Sequence, residues 1–140
     1  MMEGEGLTEE VIGAAMKVHR ALGAGFLESV YKRAFALELA RIGLSVELEK
    51  PIQVFYSGQV VGDFFADLVI DGFLIVELKA ASALSKADEQ QLVNYLTATR
   101  SEYGLLINFG AESLEFGRKY RKRNSDSLLP VNPRNPVNPV

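Results

Sequence analysis

Apolar residues recur every three or four positions in two segments near the N-terminus, which predicts two helices. In the first segment the apolar stripe consists of Val11, Ile12, Ala15, Met16, His19 and Leu22. Thr8 precedes two glutamates and is expected to cap this helix, and the glycine-rich run after Leu22 is expected to end it. The second helix is predicted from Leu27 to Ile42, with Gly43 as its stop.

The hydrophobic period then changes to two, which is typical of strands. Val46 and Leu48 alternate with glutamates and predict a half-exposed strand that Pro51 limits or bends. The ranges 64–70 and 73–79 are almost continuously apolar and are joined at Asp71-Gly72. They are therefore predicted to be the central strands of a hairpin.

A helix is predicted from Ser85 to about residue 100, because Ser85 and Asp88 have the spacing of a capping box. It is followed by a buried strand over 103–108 and an edge strand at 114–116. Helices, a three-strand meander, a further helix and a further strand together predict an α+β fold, with a central mixed sheet flanked by helices.

The chain changes character at Arg118. The basic run RKYRKR is followed by a segment with repeated Asn-Pro units, which favour neither helix nor sheet. We predict one domain over residues 1–117 and a flexible tail over residues 118–140. The basic run could contact phosphates of a nucleic acid, or it could be an ordinary solvated stretch.

Composition narrows the class of protein. The chain has 140 residues, 48% of them hydrophobic and 24% charged, with a net charge of −3 and no cysteine. Disulfides and thiolate zinc sites are therefore excluded. No apolar run approaches the roughly 20 residues of a membrane span, and the N-terminus lacks the layout of a signal peptide. We expect a cytoplasmic protein without a membrane partner.

Three charged residues stand out within the apolar hairpin: Asp67, Glu77 and Lys79. Glu77 and Lys79 are two positions apart on one strand, so their side chains leave the same face. Two carboxylates close together repel each other unless a cation lies between them, and a hard divalent metal prefers oxygen ligands. We predict a Mg²⁺ or Mn²⁺ site on Asp67 and Glu77, with the carbonyl of Leu78 as a further ligand.

Lys79 beside such a metal could orient the attacking water or stabilise the transition state of phosphodiester cleavage. The alternative is an ordinary solvated ion pair between Glu77 and Lys79, and spacing alone favours that alternative. The apolar setting of all three residues favours the site, because an unpaired buried charge is costly.

The hairpin imposes a geometric condition on this site. A strict two-residue loop at Asp71-Gly72 would pair Asp67 with Val76 and leave Asp67 and Glu77 on opposite faces. A three-residue loop ending in Gly72 with positive φ would shift the register by one and bring the carboxylates together. We predict this shift.

The segment GDFFADLVIDGFLIVELKA resembles the D-x(n)-E-x-K core of the PD-(D/E)xK nuclease superfamily. GFLESVY fits the G-x-x-E-x-x-Y pattern of a small bacterial family within it, and VHRALGAG, QLVNYL and GLLINFG are also similar to that family. The resemblance covers about residues 11–110. It implies a restriction-endonuclease-like αβββαβ core and a Mg²⁺- or Mn²⁺-dependent nuclease.

The resemblance also implies roles for single residues. Asp67, Glu77 and Lys79 match the catalytic motif, and Glu28 matches a helical glutamate that joins the metal shell or binds its water. Gln91 and Tyr95 match an element that supports DNA and the active site. Tyr31 belongs to the G-x-x-E-x-x-Y pattern.

Each of these supporting residues also has a structural alternative. Glu28 could be a first-turn glutamate favoured by the helix dipole. Tyr31 and Tyr95 could be core aromatics with a hydrogen-bonded hydroxyl. A structural role is expected for His19, with metal ligation as the lesser alternative.

Three functions follow from this pattern. The first is a metal-dependent nuclease that hydrolyses DNA rather than RNA through a metal-activated water. The second is a nucleic-acid-binding or accessory module of the same fold with weak or no turnover. The third is a structural dimerisation unit, and the sequence leaves open whether the protein is a homodimer.

Overall fold

The computed structural model describes residues 5–122. Two helices, α1 (Glu5–Leu22) and α2 (Glu28–Arg41), precede strands β1 (Val46–Tyr56), β2 (Gln59–Ile70) and β3 (Leu74–Lys79). Helix α3 (Lys86–Thr99) then leads to β4 (Tyr103–Asn108) and β5 (Glu115–Tyr120). The strands form a sheet in the order β1-β2-β3-β4-β5, in which only the β3–β4 pair is parallel. The predicted α+β fold with a mixed sheet and flanking helices is confirmed.

Each face of the sheet carries its own apolar core. The larger core lies under α1 and α2 and includes Tyr31, Phe35, Leu78 and Phe109. The smaller core lies under α3 and includes Ile75, Leu92, Leu96 and Leu106. The alternation of β3 explains the division, because Leu74, Val76 and Leu78 belong to the first core and Ile75 to the second.

Helix α1 differs from its prediction in two respects. Thr8 lies inside the helix with 3% of its surface exposed, so the N-cap prediction was wrong. The buried face is formed by Leu7, Val11, Ala15 and Val18, whereas Met16 is 41% exposed. The apolar stripe therefore starts earlier and is rotated from the predicted one. Within residues 5–122 no helix is long and apolar enough to cross a membrane.

The last strand extends beyond the predicted domain boundary at residue 117. Arg118, Lys119 and Tyr120 belong to β5 and pair with β4, so the tail does not begin at Arg118. The Arg118 guanidinium lies 5.1 Å from the centre of the Tyr103 ring, and Lys119 forms an ion pair with Glu89 at 3.1 Å. The basic residues of this strand are thus used in packing against the sheet and α3. Residues 123–140 of the predicted tail lie outside the described residues.

Both antiparallel hairpins contain one extra residue. In β2–β3, Ile70 pairs with Leu74, so Phe73 is added to the Asp71-Gly72 turn and the predicted one-residue shift is confirmed. The loop comprises residues 71–73, so the prediction that it ends at Gly72 was wrong, although Gly72 does have positive φ (76°), as does Asp71 (53°). In β1–β2, Val54 pairs with Gly62 and Phe55 with Val60, which leaves Val61 unpaired.

The β1–β2 hairpin changes face along its length. Val46 and Leu68 pack with the core under α1 and α2, whereas Ile52 and Ala66 pack with the core under α3. Within each strand these two positions are an even number apart and would share one face of a regular strand. The change of face lies between Val46 and Ile52 on β1 and between Ala66 and Leu68 on β2. Glu49, at a φ of 54°, lies within the first interval, and Asp67 is the residue inside the second.

Candidate active site

The site lies in the fork where β2 and β3 separate. Backbone pairing of these strands covers Leu68–Ile70 and Leu74–Val76. At the next position the Asp67 amide donates to Glu77 Oε2 at 3.0 Å, and the Leu78 amide donates to Asp67 Oδ2 at 2.8 Å. Carboxylate oxygens thus accept the amide hydrogens of the facing strand, and the shifted register brings Asp67 and Glu77 together as predicted.

The two carboxylates are coupled electrostatically. Glu77 is 5% exposed, and burial together with the negative charge of Asp67 raises its pKa well above the ordinary glutamate value. The structure therefore favours a protonated Glu77 unless a cation joins the pair. A raised pKa of one carboxyl group is expected when two carboxylates lie close enough to bind the same metal ion.

Helix α2 borders the fork on one side. Lys32 Nζ lies 2.8 Å from Asp67 Oδ1 and also contacts Glu49 Oε2. Burial acts against ionisation of Lys32, but the hydrogen bonds and charges of Asp67 and Glu49 outweigh it and raise its pKa. Glu28 begins the same helix, and burial followed by the charge of Asp67 raises its pKa. Helix α2 thus contributes one acidic and one basic group to the fork.

Helix α3 borders the fork on the other side. Lys79 Nζ lies 3.6 Å from Asp88 Oδ1 and 3.5 Å from Gln91 Oε1. Asp88 also completes the predicted capping box with Ser85, which is confirmed. Although burial acts in the opposite direction, the hydrogen bonds from Ser85 and the charge of Lys79 lower the pKa of Asp88. One carboxylate therefore both caps the helix and holds the lysine.

Tyr95 lies one turn further along α3. Its ring stacks on Phe64 of β2 with the ring centres 3.9 Å apart. Burial, followed by the charges of Glu77 and Asp67, raises the pKa of its hydroxyl. The structure therefore brings Gln91 and Tyr95 to the site, with Gln91 against Lys79 and Tyr95 in the field of the carboxylates.

The loop after Lys79 is held by a buried amide. Asn108 is fully buried, and its Oδ1 accepts from Ala81 N and Gly110 N while its Nδ2 donates to Ala81 O and Glu115 Oε1. A Cβ on Gly110 would lie 2.4 Å from the backbone of Ala81, so only glycine permits this approach. These contacts fix the path from Lys79 to α3.

Two predicted residues are placed in structural roles. His19 Nε2 lies 3.0 Å from Ala111 O, and its ring contacts Phe109 with the centres 6.4 Å apart. Tyr31 is fully buried, its hydroxyl donates to Gly23 O and accepts from Phe26 N at 3.1 Å, and its ring stacks on Phe109. Tyr31 thus anchors the glycine-rich loop before α2 and offers no surface to a nucleic acid.

The donor set fits a hard divalent cation. Asp67 and Glu77 supply two carboxylates, which is the number Mg²⁺ commonly takes from a protein. Across residues 5–122, no group of three or more Asp, Glu or His side chains converges as a metal cage. Leu78 contacts the site through its amide, and ligation by its carbonyl stays a prediction.

Comparison with known proteins agrees with this arrangement. The family model of the PD-(D/E)XK nuclease superfamily matches residues 5–120. The chain belongs to this superfamily. Its members are generally nucleases that use divalent metals such as Mg²⁺ and act on nucleic acid. The narrower G-x-x-E-x-x-Y family stays a prediction.

The superfamily assignment rests on the family model alone. The crystal structure of SSO0001 is similar at a TM-score of 0.49 and 13% sequence identity, over 86% of this chain and 81% of that one. No curated protein matches the chain in sequence.

Three residues near the superfamily motif were missed in the sequence. Lys32 follows Glu28 by four positions and hence shares its helical face, a signal that was available. Asp88 was assigned only to the capping box, and its contact with Lys79 depends on how α3 packs. Glu49 lies between the pairs Leu48–Leu68 and Lys50–Ala66, and so opposite Asp67. Without the extra Val61 it would face Ala66, so no local pattern marks it.

Proposed function

We propose that this protein is a Mg²⁺- or Mn²⁺-dependent nuclease that hydrolyses phosphodiester bonds of DNA. The observation that carries the proposal is the pair Asp67 and Glu77 in the fork of β2 and β3, with Lys79 two residues from Glu77 on the same strand. Membership of a nuclease superfamily supports the reaction class. The choice of DNA over RNA and the identity of the metal belong to the proposal.

Each side chain has a role that follows from its contacts. Asp67 and Glu77 would hold the cation, and Glu28 would hold a water or a further coordination position. A divalent metal bound there supplies a Lewis acid and lowers the pKa of a bound water. Lys79, which contacts Asp88 and Gln91, would donate a hydrogen bond to a phosphoryl oxygen or to the attacking water. Tyr95, stacked on Phe64, would support the site from α3.

The accessory module is the alternative, and one observation favours it. Asp67 Oδ1 already has a cationic partner in Lys32, which neutralises part of the charge that would attract a metal. A binding-only protein could keep this arrangement permanently.

Cleavage of end-labelled single- and double-stranded DNA, with RNA of the same sequence in parallel, separates the two functions. We expect cleavage in Mg²⁺ or Mn²⁺ that EDTA abolishes, and a loss of at least about 100-fold in Asp67→Asn. Asp63→Asn is the matched control, because Asp63 is exposed on the same strand and its Oδ1 accepts a hydrogen bond from Gln53 Nε2 at 3.3 Å.

The outcomes of that experiment are distinct. DNA binding without cleavage under any metal would support the accessory module. Cleavage that survives in Asp67→Asn would contradict the assigned site. Faster cleavage of the RNA would change the substrate class while leaving the site assignment intact.

A further inference from the structure

Lys32 is the basic group in direct contact with the metal-site aspartate. Its ammonium lies between Asp67 Oδ1, at 2.8 Å, and Glu49 Oε2, and its side chain is 15% exposed. Lys79, the lysine of the catalytic motif, is instead paired with Asp88 of α3. The charge of Asp67 is therefore neutralised from α2.

Glu49 of β1 is the second carboxylate that contacts Lys32, and its place in the sheet is set by the strand register. Glu49 and Asp67 face each other between the pairs Leu48–Leu68 and Lys50–Ala66, where like charges opposite one another are unfavourable, and Glu77 is one position beyond the pair Leu68–Val76. Glu49 also has a φ of 54°, a conformation that a non-glycine residue rarely adopts within a strand. Lys32 offsets the repulsion between Glu49 and Asp67. The ammonium group of Lys32 thus lies between two facing carboxylates, one of which belongs to a residue with an unusual backbone conformation.

We propose that Lys32 is the resident counter-ion of Asp67, that a divalent metal displaces it, and that Glu49 retains the displaced ammonium beside the site. This inference rests on the proposed function, since it requires a metal at Asp67. Lys32 is then a positioning residue that sets the affinity of the site for metal, and Glu49 is the partner that keeps it available.

The direction of the effect follows from charge. The Asp67 Oδ1 lone pair that faces the ammonium cannot also coordinate a metal fully, and two cations at one carboxylate repel each other. Removal of the ammonium therefore favours the metal. Removal of Glu49 leaves Lys32 without a second partner, so displacement becomes less favourable.

Calorimetric titration of Mn²⁺ into the metal-free full chain tests the proposal. We expect Lys32→Gln to bind Mn²⁺ about tenfold more tightly than wild type, which corresponds to one pKa unit of competing interaction. Lys50→Gln removes the same charge from an exposed ion pair with Glu47 and is expected to change affinity less than about twofold. Lys32→Arg keeps the charge and should not tighten binding. Unchanged or weaker binding in Lys32→Gln would overturn the proposal.

Glu49 is tested by a double-mutant cycle. Glu49→Gln should weaken Mn²⁺ binding several-fold on its own and much less in the Lys32→Gln background, because its effect passes through Lys32. An equal loss in both backgrounds would show that Glu49 ligates the metal directly and would overturn its assigned role.

Thermal unfolding gives a readout that does not depend on activity. In EDTA, Lys32→Gln should melt below wild type, and saturating Mn²⁺ should raise its melting temperature more than that of wild type. Equal shifts in the two proteins would contradict displacement.

Failure of the inference can be distinguished from failure of the proposed function. If wild type binds Mn²⁺ through Asp67 but Lys32→Gln does not bind it more tightly, only the inference fails. Binding seen only after Lys32→Gln would support it in its strongest form. If neither protein binds Mn²⁺ in a manner that Asp67→Asn abolishes, both are wrong.

Discussion

On the α2 side of the fork a lysine contacts the aspartate directly, whereas on the α3 side the lysine of the catalytic motif is held by a helix cap. Lys32 bridges Asp67 and Glu49, and Lys79 lies against Asp88 and Gln91. The two sides thus each supply an ammonium group, but with different partners. Lys32 pairs with Asp67, a predicted metal ligand, whereas Lys79 pairs with Asp88 of α3.

This difference explains how the site can be stable before metal binds. A buried carboxylate beside a half-buried one would destabilise the sheet if nothing offset their charge. Lys32 offsets Asp67, and burial together with the charge of Asp67 raises the pKa of Glu77, which favours its neutral form. Neutralisation of Asp67 then does not depend on Lys79, which under the proposed function acts on the substrate. The motif lysine and the metal-free counter-ion are separate residues on separate elements.

The largest expected effect separates the two lysines by function. Lys79→Met should lower single-turnover cleavage by about 100- to 1,000-fold, the loss expected when one transition-state donor is removed. Its Mn²⁺ affinity should change by less than about threefold, in contrast to Lys32→Gln. Cleavage rates at saturating metal, with calorimetry on the same samples, measure both. A Lys79→Met protein with a normal cleavage rate would remove the distinction between the lysines.

A second prediction concerns Glu77, which lies between α2 and α3, and the pH dependence of metal affinity. Burial and the charge of Asp67 raise the pKa of Glu77 to about 8 in the metal-free protein. Metal binding requires the ionised carboxylate, so Mn²⁺ affinity should rise by up to about tenfold per pH unit until that pKa and then level off. Binding should also release a proton. Calorimetry in buffers of different ionisation enthalpy measures this release.

The same shift has a defined sign in stability. A carboxyl group whose pKa is raised on folding makes the metal-free protein less stable as pH rises from the unfolded value of 4.5 towards about 8. Glu77→Gln should remove this part of the pH dependence of the melting temperature in EDTA. An unchanged pH profile in Glu77→Gln would place the titration elsewhere.

The smallest expected effects compare the anchors of the two helices. Tyr31→Phe removes both hydrogen bonds of the buried hydroxyl to Gly23 and Phe26 and should cost about 1–3 kcal/mol of unfolding free energy. Asp88→Ala removes the capping box of α3 and should cost about 1 kcal/mol. Urea unfolding in EDTA gives both values. A larger loss in Asp88→Ala would mean that the α3 side depends more strongly on its polar anchor.

Most secondary-structure elements were predictable because each repeats a helical or strand period of apolar residues over several turns or positions. The predicted strand 103–108 coincides with β4, and the predicted helix from Ser85 is α3 with Ser85 as its N-cap. Two predictions that rested on polar patterns were wrong. Thr8 is buried inside α1 instead of capping it, and β5 continues past the predicted domain boundary at residue 117. Arg118 belongs to β5 because pairing with β4 and contact with Tyr103 outweigh its place in a basic run.

The candidate site was predictable only in part, for a geometric reason. The prediction that Asp67, Glu77 and Lys79 form one site followed from their apolar surroundings and from the resemblance to the PD-(D/E)xK superfamily. It required a one-residue shift of register in the β2–β3 hairpin. That shift is present through Phe73. The matching shift in the other hairpin, through Val61, was not predicted, and so Glu49 was missed.

The sequence by itself determined the order of the elements and which strands are buried, because hydrophobic period is a local property of the chain. It also determined which residue types are available for chemistry. Only the tertiary structure decided which of them meet. A strand has a side-chain period of two, so a single extra residue changes every facing partner beyond it. Two such residues, Val61 and Phe73, align Glu49, Asp67 and Glu77, and the packing of α2 then places Lys32 among them.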